Sequence, residues 1–445
     1  MERQQLGLSL ALSKHPILSE NDKYKIKYLN VLDYFVRKYS SKDIFSKSIF
    51  NNYKEALLNN SENYLYMDKE LKLISKGALS WKYKKFKFFS YRFTLLIDCM
   101  FINAFFDKNK AETMFEEIKT IYGNRHHKKL EGLFKSLYDG IYNIPKLHQI
   151  DYVSTCWIAN KKFFNMRETN ILVTANMSAG KSTLMNAIVG KKVNKTQNDA
   201  CTAKLHYLMN KSYEDNYTYE WDYELDMNAN YDTLMNDNEN NEKSGITVGT
   251  SFRTYLSLNN RICFIDTPGV NSVIDIQHMQ ITQNAMEECK YDKVLYILNG
   301  ENLGTFDDKR YLHYVKERIR KPIIFIVNKL DRYKIKEDSI HDTLEQLNKD
   351  LLEIGFEKPI ICPISAYAGY LAKMKLFNEE LNEDEEDELE LFIRKFKKQD
   401  YKLSEFYPDN TRKLDISDID DSLKPYAELM VSCGVYCLEN IIYSN

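Results

Sequence analysis

Nine consecutive residues do most to limit what this chain can become: Ala175-Asn176-Met177-Ser178-Ala179-Gly180-Lys181-Ser182-Thr183. They follow a β-rich apolar run, residues 171–174, and precede a helical pattern, Leu184, Met185, Ile188 and Val189. A tight turn between a strand and a helix aims several main-chain N–H groups into one hollow at the positive end of the helix dipole. Such a hollow binds phosphate. The phosphate-loop template is Gly, four residues, then Gly-Lys-Ser/Thr; every position fits except the first, where Ala175 stands. The main chain from Asn176 to Thr183 would cradle phosphate oxygens, Lys181 would reach the terminal phosphates and the Ser182 hydroxyl would ligate Mg²⁺. A chance loop is the alternative, and the flanking strand and helix weaken it.

Further motifs stand downstream, each after an apolar run. Residues 262–265 lead into Asp266-Thr267-Pro268-Gly269. There Asp266 could hold Mg²⁺ through a water and the Gly269 N–H could meet a γ-phosphate. Residues 322–327 lead into Asn328-Lys329-Leu330-Asp331. A carboxylate at Asp331 accepts from both N1–H and the 2-amino group of guanine, donors that adenine cannot offer together. Asn328 would brace the loop, and the Lys329 stem would lie along the base. Residues 359–364 lead into Ser365-Ala366, where a backbone N–H could meet the guanine O6. A Mg²⁺-ligating threonine is needed between the first two motifs; Thr202 is preferred on spacing, with Thr196 as the competitor. Alone, Pro-Gly reads as a turn and Asn-Lys-x-Asp is weak. In this order, each at a strand's carboxyl end, they predict a GTP site that takes GTP and releases GDP.

The surrounding texture agrees. Runs at 171–174, 205–208, 262–265, 293–298, 322–327 and 359–364 alternate with helical patterns, which predicts an α/β fold: a P-loop GTPase domain, a mostly parallel sheet with helices on both faces. Residues 1–150 carry apolar residues at helical spacing instead, such as Ile26, Leu29, Leu32 and Val36, then Leu95, Cys99, Ile102 and Phe106. An all-α helical bundle is expected there, with the division near 150/151 and a helical, acidic insertion at about 367–425 in the second domain. The bundle holds 26 Lys+Arg against 16 Asp+Glu, the remainder 36 against 48. The net charge of -2 argues against a uniformly basic nucleic-acid coat, so no specific nucleic-acid partner is expected. The eight cysteines contain no Cys-x-x-Cys pair and the N-terminus has no basic region before its apolar patch, which predicts reduced thiols and a cytoplasmic chain. His126-His127 has no second ligand pair at metal spacing. The acidic run EELNEDEEDELE, residues 379–390, is expected to be a solvated helix face.

One stretch interleaves cations and aromatics: Trp81-Lys82-Tyr83-Lys84-Lys85-Phe86-Lys87-Phe88-Phe89-Ser90-Tyr91-Arg92-Phe93. A bundle helix with Phe inward and Lys snorkelling outward explains it most simply. Peripheral contact with anionic lipid is the next reading, ahead of single-stranded nucleic acid.

These motifs resemble those of the dynamin superfamily of GTPases, most nearly the bacterial dynamin-like proteins, over residues 165–445. The resemblance rests on Ser178-Ala179-Gly180-Lys181-Ser182, on Thr202 at the place of the switch threonine, on the long interval from Thr202 to Asp266, on NGENLGTFDD at 299–308, and on Cys433-Gly434-Val435-Tyr436-Cys437-Leu438-Glu439 as the last helix of the GTPase domain. It implies hydrolysis of GTP with Mg²⁺, Ser178, Lys181 and Thr202 in catalysis, and GTPase domains that pair across the nucleotide, either as a homodimer or with a partner GTPase. It also implies possible roles at membranes. Two departures bear on catalysis. The family's water-orienting glutamine is replaced by Met177, and the glutamine that Ras-type enzymes carry after their DxxG is replaced by Val270. A thioether cannot orient water as an amide does. The alternative function is therefore a GTP-gated interaction module with little hydrolysis.

Overall fold

The structure, a computed structural model, describes residues 5–8, 12–58, 90–122, 127–139, 150–175, 178–194, 205–221, 225–234, 245–268, 276–334 and 338–443. Most of the basic aromatic stretch, residues 81–89, lies outside them, as do Asn176, Met177, Thr196, Thr202, Gly269 and Val270. The chain forms two compact units. One comprises Met1–Asn165 with Asp215–Tyr217 and Glu224–Asn228, and the other Met166–Glu214, Thr218–Tyr223 and Ala229–Asn445.

The first unit contains helices α1 (Asp22–Tyr39), α2 (Ile44–Leu57), α3 (Arg92–Ala104), α4 (Lys108–Tyr122), α5 (His127–Tyr138) and α6 (Asp151–Phe164). Helix α1 starts where the Asn21 side chain accepts from the Tyr24 N–H at 3.2 Å. It buries Tyr28, Leu29, Leu32, Phe35 and Val36, the period read from the sequence. Helix α3 is buried almost throughout and carries Asp98, which is fully buried. An unpaired carboxylate there would be costly. Asp98 is satisfied by the Tyr53 hydroxyl at 3.0 Å, by His15 Nε2 at 2.9 Å and by the Tyr28 hydroxyl. The unit extends past the expected division at 150/151 because α6 packs here. Its Trp157 is fully buried, donates to the Leu137 carbonyl at 3.0 Å and meets Phe105 edge-on with centroids 4.8 Å apart.

The second unit is α/β. Its strands are β1 (Arg167–Ala175), β2 (His206–Asn210), β3 (Tyr219–Trp221), β5 (Ile246–Thr250), β6 (Asn260–Asp266), β7 (Lys293–Asn299), β8 (Ile323–Asn328) and β9 (Ile360–Pro363), while the short β4 (Leu225–Asp226) falls in the segment Glu224–Asn228 of the first unit. The strands of this unit lie in one sheet of order β3-β5-β2-β6-β1-β7-β8-β9. The pairs β6-β1, β1-β7, β7-β8 and β8-β9 are parallel, while β2 runs antiparallel to β6 and β3 to β5. Successive side chains of a strand point to opposite faces, yet Ile171 to Ala175 are all fully buried. Both faces of the central sheet are therefore covered, as a parallel sheet requires. Strands β3, β4 and β5 were not anticipated. The Ile246-Thr247-Val248 signal of β5 is short and borders a polar low-complexity stretch, which masks it.

The helices of this unit are α7 (Lys181–Val189), α8 (Ile276–Glu288), α9 (Phe306–Arg318), α10 (Ile340–Ile354), α11 (Ala366–Leu376), α12 (Glu383–Phe396), α13 (Lys424–Ser432) and α14 (Val435–Tyr443). The segment expected as an insertion begins with α11, which is core rather than appendage. Ala366, Ala368, Leu371 and Ala372 are fully buried, and the helix packs on α7 and α13.

An ion pair fastens this packing. Lys373 of α11 and Glu439 of α14 are both fully buried and in contact. Lys373 Nζ also donates to the Ile188 carbonyl at the end of α7, at 2.7 Å, and the Thr254 hydroxyl donates to Glu439 at 3.1 Å. Burial pushes the lysine down and the carboxylate up, and the mutual attraction opposes both shifts. Breaking one partner leaves an uncompensated charge in the core, which costs about 3–5 kcal/mol, whereas replacing both with apolar residues is often near neutral. Glu439→Ala is expected to lower stability by about that amount in urea unfolding, and Lys373→Met with Glu439→Leu to recover most of it. Equal losses in the single and double variants would exclude this role.

Candidate nucleotide site

Register brings the motif residues to one edge. Val173 of β1 lies opposite Asp266 of β6, Asn299 of β7 opposite Asn328 of β8, and Val327 opposite Pro363 of β9. The strands being parallel, the segments that follow them leave at their common carboxyl ends, the place where such sheets take ligands.

Among the described residues of the loop before α7, two are left-handed. Ser178 has φ 60° and Gly180 φ 84°, and α7 starts at Lys181. Ser178 is exposed, Ala179 is buried, and Ser182 and Thr183 are partly buried on the first turn of α7. Lys181 Nζ sits 2.5 Å from Asp266 Oδ1. Asp266 is fully buried, and its other oxygen accepts from Asn194 Nδ2 at 3.4 Å. Asn194 is held in turn by Asn186, whose side-chain oxygen accepts from the N–H groups of Val193 and Asn194 at 3.0 and 2.8 Å. Neither asparagine was singled out from sequence. The available signal was a polar Asn186 among Leu184, Met185, Ala187 and Ile188 on a buried helix.

The base loop is tied to the phosphate loop by one side chain. Asn328 Nδ2 donates to the Ala179 carbonyl at 2.9 Å, and Asn328 Oδ1 accepts from the Ala366 N–H at 2.9 Å. Three loops thus share one buried amide. The approach is close enough that a Cβ on Gly180 would stand 2.4 Å from Asn328 Nδ2. Lys329 follows in the left-handed region with φ 67°. Its ammonium lies 3.8 Å from Glu301, which also pairs with Arg332 at 3.0 Å. Burial, then the neighbouring Arg332, pushes the Lys329 pKa down against the pull of Glu301 and Asp331. Asp331 Oδ1 accepts from the Ser365 hydroxyl at 2.7 Å, and Ser365 and Ala366 are both fully buried.

The structure therefore brings Ser178, Ala179, Gly180, Lys181, Ser182, Thr183 and Asp266 to one part of the edge, and Asn328, Lys329, Asp331, Ser365 and Ala366 to an adjoining part. The donors available for a cation among the described residues, the Ser182 hydroxyl and the Asp266 carboxylate, are hard oxygens of the kind that suits Mg²⁺. A main-chain cradle at a helix start, a lysine beside a strand-end carboxylate and a carboxylate braced by a serine can hold a polyphosphate and read a purine edge.

Residues 171–330 match the family model described as the dynamin family. No curated protein matches the chain. Among solved structures, Era in complex with MgGDPNP and a segment of 16S ribosomal RNA is 20% identical, with 45% of this chain and 52% of that chain covered and a TM-score of 0.29. An Era variant from Aquifex aeolicus bound to GDP·AlF4⁻ is 21% identical, with 49% and 59% covered and a TM-score of 0.29. An oligomerised bacterial dynamin pair, described as a mechanism for long-range sensing and tethering of membranes, is 16% identical, with 96% and 62% covered and a TM-score of 0.38. The chain thus spans less than two thirds of the length of each.

Gly180→Ala tests the closeness of the loops. The left-handed φ alone costs about 1–2 kcal/mol for a residue with a Cβ, before the contact with Asn328 is counted. The expected outcome is a lower unfolding midpoint that Asn328→Ala, which removes the clashing amide, does not restore to wild type because its two hydrogen bonds are lost as well. Unchanged melting of Gly180→Ala would show that the loops are not held this closely.

Proposed function

The chain carries a dynamin-family GTPase domain, and on that footing we propose that it hydrolyses GTP to GDP and phosphate. The arrangement around Asn328 supports this most directly: one amide ties a phosphate-binding turn to a loop bearing a guanine-reading carboxylate. In this reading the main chain from Asn176 to Thr183 and the N-terminus of α7 hold the phosphates. Lys181 leaves Asp266 for the terminal phosphates, a short move for a flexible stem ending 2.5 Å from its present partner. Ser182 and Thr202 would hold Mg²⁺ directly and Asp266 through a water, and the ion's chemistry is to neutralise charge on the phosphate oxygens. In the same reading the Gly269 N–H would meet the γ-phosphate, and Ser178, Lys181 and Thr202 would act in catalysis.

Asp331 accepts from N1–H and the 2-amino group of guanine, the Ala366 region meets O6, and Lys329 lies along the base. A single residue should switch this preference. Xanthine carries an oxygen where guanine carries its 2-amino group. Asp331→Asn is expected to bind GDP at least about tenfold more weakly and to gain affinity for xanthosine diphosphate, because the amide can donate where the carboxylate could not. Calorimetry checks both; equal GDP binding in wild type and variant would remove Asp331 from the site.

Met177 and Val270 stand where related enzymes place a water-orienting glutamine. A slow lone domain follows, accelerated when two GTPase domains meet across the nucleotide. Turnover per molecule is expected to rise with protein concentration and to vanish in Lys181→Ala. Flat turnover would exclude the paired mechanism, and binding without multiple-turnover phosphate release would instead favour the GTP-gated interaction module. No helix among the described residues is long and apolar enough to cross a membrane. Lipid contact enters this reading only through the stretch from Trp81 to Phe93, and equal co-sedimentation with anionic vesicles after Lys82, Lys84, Lys85 and Lys87 are changed to Glu would remove it.

A further inference from the structure

The acidic run reads from sequence as a solvated face, yet the helix it begins ends at the base loop. Helix α12 opens with a capping box between Asn382 and Glu385 and carries Glu383, Asp384, Glu385 and Glu386 in its first turn. Negative charge at that end and Arg394 and Lys395 at the other both suit the helix dipole. Leu389 and Phe396 anchor the helix, at 1% and 2% exposure. The last turn then places Lys395 Nζ on the main-chain carbonyl of Asp331. The ammonium also stands 4.4 Å from the centre of the Tyr401 ring, and the Tyr401 hydroxyl donates to the carbonyl of Tyr333 at 2.9 Å. Tyr333 in turn donates to the Gly300 carbonyl at 2.7 Å. Two carbonyls of the base loop, two residues apart, are thus each held by a side chain from the segment that follows the acidic run.

We infer that Lys395, seated on Tyr401, is a positioning residue for base recognition: it fixes the Asp331 backbone and so the direction in which the Asp331 carboxylate presents its oxygens. The inference rests on the guanine reading of Asp331 proposed above. Lys395 touches neither base nor phosphate in this account. Its charge-assisted bond is stronger than a neutral one, and it acts on the same residue whose side chain must meet two donors at once. Hydrogen bonds of that kind weaken steeply with misalignment, so a loop that drifts loses the second bond first. Phosphate binding does not depend on this loop's direction, since it uses the start of α7. Loss of Lys395 therefore removes discrimination between bases rather than affinity for the polyphosphate.

Inosine diphosphate reads this directly, because hypoxanthine keeps N1–H and lacks the 2-amino group. Calorimetry on the full chain would compare GDP with inosine diphosphate in wild type, Lys395→Met and Lys395→Arg. Wild type is expected to prefer GDP by about tenfold, the contribution of one hydrogen bond to a charged group. In Lys395→Met that ratio is expected to fall to within about twofold of unity, with inosine diphosphate binding little changed, and Lys395→Arg to restore it because the guanidinium can also donate. An unchanged ratio in Lys395→Met overturns the inference, and so does equal weakening of both ligands, which marks a purely structural role. Should Lys395→Met not melt cooperatively, Lys395→Leu, which likewise has no donor, carries the same expectation and the same refutation. The guanine reading fails separately: wild-type protein that binds both diphosphates alike sinks it before any variant is compared.

Discussion

One buried side-chain amide holds the site together. Asn328 spends its donor on the Ala179 carbonyl and its acceptor on the Ala366 N–H. The phosphate turn, the base loop and the start of α11 are thereby set at fixed distances, and any ligand that bridges phosphate and base must match that spacing. The same contact explains the residue opposite. Gly180 is needed both for its left-handed backbone and because no Cβ fits beside the Asn328 amide.

That constraint would be of little use if α7 could slide. It is anchored at its far end by the Lys373–Glu439 pair, whose lysine also binds the Ile188 carbonyl. Arg253 adds a bond to the Gly190 carbonyl at 3.0 Å, while itself paired with Glu379 at 2.6 Å. Burying an ion pair costs desolvation, so such a pair is weak evidence for extra stability. Its geometric consequence is clearer: helices α11 and α14, far along the chain, register the helix that begins at Lys181 of the phosphate-loop motif. Asp98 plays a comparable part in the helical unit, where three donors compensate a carboxylate at the centre of α3.

Much of this was legible from local sequence. The phosphate turn, Asp266, Asn328 with Asp331, and Ser365 follow four of the six apolar runs read from the sequence, and all six runs became strands, β1, β2, β6, β7, β8 and β9. Helical spacing in the first unit likewise became helices such as α1 and α3. What escaped had a common cause. Strand β5 is short and depends on β2 and β3 for its pairing. Helix α6 was set apart from the bundle by the division expected near 150/151, although its Trp157 completes the aromatic core there. Helix α11 follows the last strand motif and looked like the start of an insertion, but it buries Ala366, Ala368 and Ala372 and packs on both α7 and α13.

The sequence by itself determined the order of chemistry along the chain, since strands that run parallel must deliver whatever follows them to one edge. The tertiary structure decided which side chains brace that chemistry. Asn328 reaches a carbonyl 149 residues away, and Lys395 one 64 residues away. No periodicity or spacing encodes such bonds, because a side chain's partner is set by where the fold brings the backbone and not by the residues beside it. The acidic run shows the difference most plainly. Its charge said only that the beginning of a helix would be solvated, while packing at Leu389 and Phe396 carried that helix's other end to the carbonyl of Asp331.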